Sequence, residues 1–285
     1  MAHYLLDDLA ILQFRGSDAQ KFLQGQLSND VQRLSAQVLL RAGLHNPQGR
    51  TLALLAMTAV APDDVLALLP RELIQAVASQ LKRYVLRAKV AISDETSGYR
   101  IYGFLNEGSA AAGTGRLCGY GLQDDPRVLL LQSTSDAPLT GSALASAHWH
   151  KLDIAAGLPQ LSSATSGQFV AQMLNLDCID AISFTKGCYT GQEVIARAHY
   201  RGRVKRRMQR FVTSMPHILA AGSGGRLADG RNFRVVDAAV RADGSCEFLA
   251  VAPLPGAARE TDEAVEAHGQ ALAVEALPMS YALPD

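Results

Sequence analysis

Two apolar runs, QVLLRAGL (37–44) and RTLALLAMTAV (50–60), stand either side of the short stretch HNPQG. Asn46-Pro47 and Gly49 supply turn chemistry between arms of strand length, so the segment predicts a β-hairpin and commits this part of the chain to a sheet. The flanking sequence offers more strands. LAILQFRG (9–16) and DDVLALLP (63–70) have the same character. SDAQKFLQGQL (17–27) reads as a helix that Ser17 or Asp18 could cap, with Ala19, Phe22, Leu23 and Leu27 as its apolar stripe. PRELIQAVASQLKRYVL (70–86) puts Pro70 at a first helical position and carries Leu73, Ile74, Val77 and Leu81 at helical spacing. Residues 86–92, 99–105 and 127–133 predict further strands. The Gly-, Ala- and Ser-rich stretch 107–125 reads as a surface loop, and 141–159 as a helix ending at Gly157 before Pro159.

The texture changes from about residue 204. KRRMQRFVTSM (205–215), GRNFRVVDAAVR (230–241), CEFLAVAPL (246–254) and EAVEAHGQALAVEAL (263–277) are short β-patterned runs between Gly- and Asp-rich turns. They predict a small antiparallel sheet or barrel, with the main boundary near Gly202. A chain of 285 residues also suits two or three compact units. The expected division is 1–203 and 204–285.

Composition narrows the function classes. Lys+Arg and Asp+Glu are both 27, so any basic site must be local, and a polyanion such as nucleic acid is disfavoured as partner. No basic-then-apolar leader opens the sequence, and no run approaches the roughly 18 apolar residues of a membrane span. Cys118, Cys178, Cys188 and Cys246 are far apart and form no C-x-x-C pair. A disulfide framework is therefore not expected, and a reduced, cytoplasmic setting is.

The densest chemistry lies in SFTKGCYTGQEVIARAHYRG (183–202). Thr190 and Glu193 match a capping box, which would start a helix at TGQE and run it towards Gly202. Cys188 would then sit beside a helix N-terminus, with Lys186 adding positive charge, and both effects favour a thiolate. Gly187 and Gly191 leave room for close backbone approach or left-handed conformations. Three readings of Cys188 stay open on local grounds: a working thiol, a metal ligand, or a small residue filling a tight turn. Metal ligation within the chain is disfavoured, because no His or Cys lies near it at a ligand spacing and His148 and His150 point to different helix faces. Downstream, Arg197, Arg201, Arg203, Lys205, Arg206, Arg207 and Arg210 form a basic run with only Tyr200 as aromatic. It reads as a solvated face, as a site for a small multi-anion such as a polyglutamate tail, or as an RNA- or protein-docking surface.

KGCYTGQE (186–193) resembles the signature of the YgfZ family of folate-binding, iron–sulfur-associated proteins, relatives of the glycine-cleavage aminomethyltransferase. The resemblance extends in order through GSDAQKFLQGQLSNDV (16–31), NPQGR (46–50), LDIAAGLP (152–159), GQFVAQMLNLD (167–177) and ARAHYRGRVKR (196–206). It implies an α+β fold: two intertwined ferredoxin-like units, split near residues 45 and 140, with a small C-terminal antiparallel β-barrel. These would surround a central channel for tetrahydrofolate or a derivative. It also implies a monomeric accessory protein that helps assemble, maintain or repair iron–sulfur client enzymes, tRNA-thiolating ones included.

On that resemblance Lys186 and Cys188 are the working residues, in a loop completed by Gly187, Tyr189, Thr190, Gly191, Gln192 and Glu193. Candidate folate contacts are Asn29, Asp30, Asn175, Arg197, Tyr200 and Arg201. Two departures stand out. The aminomethyltransferases carry an aspartate just after the hairpin glycine, whereas here Gly49 is followed by Arg50, Thr51, Leu52 and Ala53. Without that carboxylate a folate-dependent one-carbon transferase or demethylase is the weaker alternative, and a non-enzymatic role is preferred. Ala155 stands where relatives often carry a pterin-gripping glutamate, a loss on the order of 1.5–3 kcal/mol of binding.

Overall fold

The hairpin read from 37–60 is the edge of a larger antiparallel sheet. The computed structural model describes residues 2–110, 114–202, 204–214, 216, 218–255 and 273–284. In chain order its strands and α-helices begin with β1 (Ala2–Leu5), β2 (Leu9–Arg15), α1 (Ala19–Gln26), β3 (Leu40–His45), β4 (Thr51–Ala61), β5 (Asp64–Pro70) and α2 (Ile74–Lys82). Then come β6 (Ala91–Asp94), β7 (Tyr99–Phe104), β8 (Arg116–Gly119), β9 (Val128–Ser133), β10 (Ser142–Leu144), α3 (Ser146–Ala155) and α4 (Gln192–Arg201). The last strands are β11 (Arg206–Thr213), β12 (Gly224–Arg226), β13 (Asn232–Val240), β14 (Cys246–Pro253) and β15 (Val274–Leu277).

These strands form three five-stranded sheets in a mixed α and β architecture. The first has the order β3-β4-β5-β2-β6 and is antiparallel throughout. Along β4, Thr51, Ala53, Leu55 and Met57 are fully buried while their neighbours are not, the period of a half-buried strand. Helix α1 buries Ala19, Phe22 and Leu23, and α2 buries Ile74, Val77, Ala78 and Leu81, close to the stripes read from sequence. The second sheet has the order β10-β1-β7-β9-β8, so the N-terminal strand leaves its sequence neighbours and pairs with strands about a hundred residues on.

The third sheet, β12-β13-β14-β11-β15, is built entirely from residues from Arg206 onward. Among the described residues no pairing joins its edge strands β12 and β15. Its alternation feeds two cores. Met208, Leu249 and Val251 join the main core, and Phe211, Phe233 and Phe248 stack into a second one on the opposite face.

Some expectations need correction. The stretch 107–125 is not only surface loop: it contains β8, buries Cys118 and sends Tyr120 into the interior. Leucines of β9 pair with this strand, and that tertiary partner outweighs its Gly-rich composition. The strand predicted from residue 86 begins at Ala91. Of the run 263–277, Val274–Leu277 is a strand and the part up to 272 lies outside the described residues.

Candidate functional site

The signature loop is anchored from two sides. Lys186 reaches back to the C-terminal end of α1, where Nζ donates to the carbonyls of Gln24 and Leu27, both at 2.6 Å, and of Asn29 at 2.9 Å. These acceptors include carbonyls left over where the helix stops, and a cation there also suits the helix dipole. An ammonium has three N–H groups, so this geometry leaves none to donate to Cys188. Burial pulls Lys186 down to about 8 against the raising charge of Asp30. The ammonium also lies 5.1 Å from the centre of the buried Tyr189 ring.

The second anchor is the hairpin turn. Gly191 takes the N-cap position of α4 with φ 82°, and a Cβ there would lie 2.6 Å from the Asn46 carbonyl oxygen and 3.1 Å from Gly49 Cα. The loop presses so closely on the turn that only glycine fits. This corrects the capping-box reading: no side chain caps α4, Thr190 stands one residue too early, and Glu193 points to solvent. Gln192 bonds back instead, accepting from the Tyr189 amide at 3.3 Å. Gly187 has open space around it and takes no such close contact.

Cys188 is exposed, and of the four cysteines it alone is; Cys118 and Cys246 are buried and Cys178 is half-buried. A neighbour that sequence reasoning missed is His45, at the end of β3. Its ring is 6.3 Å from that of Tyr189, neither ring nitrogen has a hydrogen-bond partner among the described residues, and burial pulls it down to about 3. Nothing in the local sequence marks a histidine for a dry interior.

A second constellation surrounds a cavity of about 70 Å³, room for roughly five waters. Its walls are largely apolar, with Leu6, Leu54, Leu68 and Trp149 among them, and Asp8, Arg41, Tyr120, Ser146, His150, Asp153 and Gln160 supply its polar groups. Tyr120 ties the cluster together. Its hydroxyl donates to Asp153 Oδ1 at 2.7 Å, and Arg41 and Arg127 lie 4.5 and 4.2 Å from its ring centre. Arg127 Nη1 donates to Asp153 Oδ1 at 2.8 Å while Nε and Nη2 grip Asp125. Burial lowers Arg41 and raises both Asp153 and Tyr120, each away from its charged form.

The cavity adjoins a wider vestibule of about 520 Å³ with which it shares Asp8, Pro70, His150, Gln160 and Leu161. Across the vestibule His150 Nε2 meets Asp237 Oδ1 at 2.8 Å, joining α3 to β13 of the third sheet. His148 turns elsewhere and bonds Tyr4, as expected for alternate residues of a helix.

None of the six folate candidates is among the residues that line this cavity. Asn29 is buried and donates to the carbonyls of Arg41 and Asp180 at 2.8 and 2.6 Å. Asp30 caps a short turn by accepting from the Gln32 amide and also accepts from Gln24. Asn175, left-handed at φ 55°, donates to the Met208 carbonyl at 2.8 Å. Arg197, Tyr200 and Arg201 are exposed on α4. Ala155 is not a lining residue either, whereas Asp153, two positions earlier, is.

The basic run is not one face, which corrects the docking surface read across 197–210. Arg207 is buried against Asp177 in a bidentate pair at 2.9 Å, and Arg210 is held by Glu247 at 2.6 Å. Arg203 lies outside the described residues.

No family model matches the chain. It is 32% identical over 248 residues to an uncharacterized protein of Haemophilus influenzae, with 84% of each chain covered. It is 31% identical over 253 residues to the tRNA-modifying protein YgfZ of Yersinia pseudotuberculosis serotype O:1b, covering 80% of this chain and 76% of that one. The figures are the same for the YgfZ protein of Yersinia pestis strain Pestoides F. Among solved structures, the glycine cleavage system aminomethyltransferase T from Bartonella henselae aligns with a TM-score of 0.69 over 88% of this chain and 78% of that one. At 13% identity that likeness is one of fold.

Proposed function

The chain belongs to the YgfZ family, and from that premise we propose that it is a folate-binding accessory protein acting in the context of tRNA modification. In this reading the cavity and vestibule are the middle of a channel between two intertwined ferredoxin-like units within 1–203 and a C-terminal unit at 204–285. The observation that carries it is the pocket itself: apolar walls with a few convergent polar groups, touched by residues of all three sheet regions.

The lining fits the group chemically. A pterin is flat and apolar on its faces, and its edge needs both donors and acceptors, which Arg41 and Asp153 can supply. The cavity alone is small, so the rest of a folate would extend through the vestibule. Saturating tetrahydrofolate is expected to raise Tm, as any ligand specific to the folded state must. An unchanged Tm at millimolar ligand contradicts the reading.

The exposed thiol of Cys188 supports the second half of the proposal, a role in the assembly, maintenance or repair of iron–sulfur client enzymes. Cys188→Ser is expected to fold normally and fail to complement a strain lacking the protein. Full complementation by Cys188→Ser would remove the thiol from the function. One-carbon transfer is not favoured, since the residues after Gly49 carry no carboxylate and Arg50 is spent on the Gln168 carbonyl at 2.5 Å.

A further inference from the structure

We infer that the C-terminal half of α4 and the cleft beside it form a site for single-stranded nucleic acid. One base enters the cleft, the next stacks on Tyr200, and Arg197 and Arg201 hold the phosphates. Sequence leaves Tyr200 without aromatic company in the basic run, and the fold supplies it. Phe184 stacks on His199 with ring centres 3.7 Å apart and planes 13° from parallel. Tyr200 meets both rings edge-on, at 6.2 and 4.8 Å. It is still 66% exposed, so it keeps surface for a stacking partner.

Arg197, Tyr200 and Arg201 fall at i, i+3 and i+4 and share one face of α4. Both arginines are exposed, and neither has an ion pair among the described residues. Glu193, also exposed, extends this face one turn toward Cys188. Its carboxylate confines an anionic strand to the C-terminal half of the helix. The neutral net charge of the chain does not oppose such a site, because the attraction needed is local.

The cleft has a volume of about 510 Å³, with Gln172, Asp177, His199, Gly202 and Arg207 in its lining. It shares no lining residue with the cavity or the vestibule. Its charges cancel, since Arg207 and Asp177 hold each other. Gln172 is different. It is 1% exposed, its Nε2 donates to the Ile195 carbonyl at 2.7 Å, and its Oε1 accepts no hydrogen bond among the described residues. A buried acceptor of this kind calls for an N–H. The cleft thus suits a neutral, flat group carrying N–H donors, while its rim suits an anion and a second aromatic plane. A nucleobase with an exocyclic amine, joined to phosphates, combines these properties. A free nucleotide would fill the cleft alone. Tyr200 lies outside the cleft lining and has work only if a second base follows, which favours a strand.

The test is fluorescence polarisation of the whole protein with end-labelled oligo(A) RNA, with AMP as competitor and a labelled oligoglutamate peptide as an acidic-protein probe. No folate is needed, so a failure here leaves the folate reading untouched. Saturable RNA binding is expected, with a Kd that Tyr200→Ala raises about fivefold or more. The double variant Arg197→Gln/Arg201→Gln should flatten the slope of log K against log salt by about 1.4, the share of two phosphate contacts. Lys82→Gln/Arg83→Gln, exposed at the end of α2, should leave binding unchanged. No saturable RNA binding overturns the inference without recourse to any variant. AMP that competes as well as unlabelled oligo(A) overturns the strand and reduces the site to a nucleotide pocket. Oligoglutamate that binds with the same losses in both α4 variants overturns base recognition and assigns the face to an acidic protein. An equal loss in the Lys82 and Arg83 variant overturns it as general charge attraction.

Discussion

The loop around Cys188 and the cavity around Arg41 concentrate chemistry in opposite ways. The loop is contiguous in sequence, its Cys188 is exposed, and its charged neighbour Lys186 is used up in holding the loop to α1. The cavity draws on residues 41, 120, 127 and 153, scattered over three strands' surroundings and one helix, and its charges are buried and partly unsatisfied. A loop of this kind can lose its exposed thiol without losing the fold. A buried polar cluster cannot lose a member so lightly, because each charge there depends on the others.

Substitutions can break or sharpen that comparison. The largest effect is expected at Asp153. Its removal in Asp153→Ala leaves Arg127 and Arg41 short of a counter-charge, a loss of about 3–5 kcal/mol. Cys188→Ser should stay within about 0.5 kcal/mol, as exposed substitutions do. Urea midpoints of the two variants measure the contrast, and equal midpoints would abolish it.

Gly191→Ala comes next. It combines left-handed backbone with a Cβ 2.6 Å from the Asn46 oxygen, for an expected loss of roughly 2–4 kcal/mol. Gly187→Ala, in open space, should cost well under that in the same measurement, and a reversal of the two would contradict the docking of loop on hairpin.

Lys186→Met should lose about 1–3 kcal/mol through the carbonyls it leaves behind. Its pH dependence is diagnostic. The folded chain holds Lys186 near 8, against an ordinary value of 10.5. Between those values the unfolded chain binds more protons, so wild-type stability relative to Lys186→Met should rise with pH. A falling difference over that window would show that the ammonium is favoured by its site.

The smallest effect belongs to the half-buried His150–Asp237 pair, within about 1 kcal/mol. Burial pulls His150 down, but the hydrogen bond and charge of Asp237, with Asp153 and Asp8, leave it above 6.5. Its contribution is therefore full below 6.5 and fades as pH rises through the higher folded value. Urea midpoints of wild type and His150→Gln should converge at alkaline pH, and a constant gap would rule out titration of this pair.

How much of this was legible in sequence follows the same division. The hairpin at 46–50, the stripes of α1 and α2 and the strands β11, β13 and β14 of the third sheet were readable, because periodicity and turn residues are local signals. The loop was readable as a motif, yet its cap was misread. Thr190 and Glu193 have the right spacing, but Gly191 is fixed by contact with a turn 140-odd positions earlier, which no window of sequence contains. The cavity was not readable at all. Tyr120 sits in a Gly-rich stretch that resembled loop, and Arg41 looks like the polar interruption of an apolar strand. The same blindness joined Arg207 and Arg210 to a surface charge run, although each has a carboxylate waiting on another element.

The central claim is that the cavity binds folate and the loop does separate work. The most direct measurement is an anaerobic calorimetric titration of wild type and Cys188→Ser with tetrahydrofolate, side by side. The account predicts micromolar binding with the same affinity in both proteins. No heat of binding in a folded wild type, or binding that is lost with the Cys188 thiol, would contradict it.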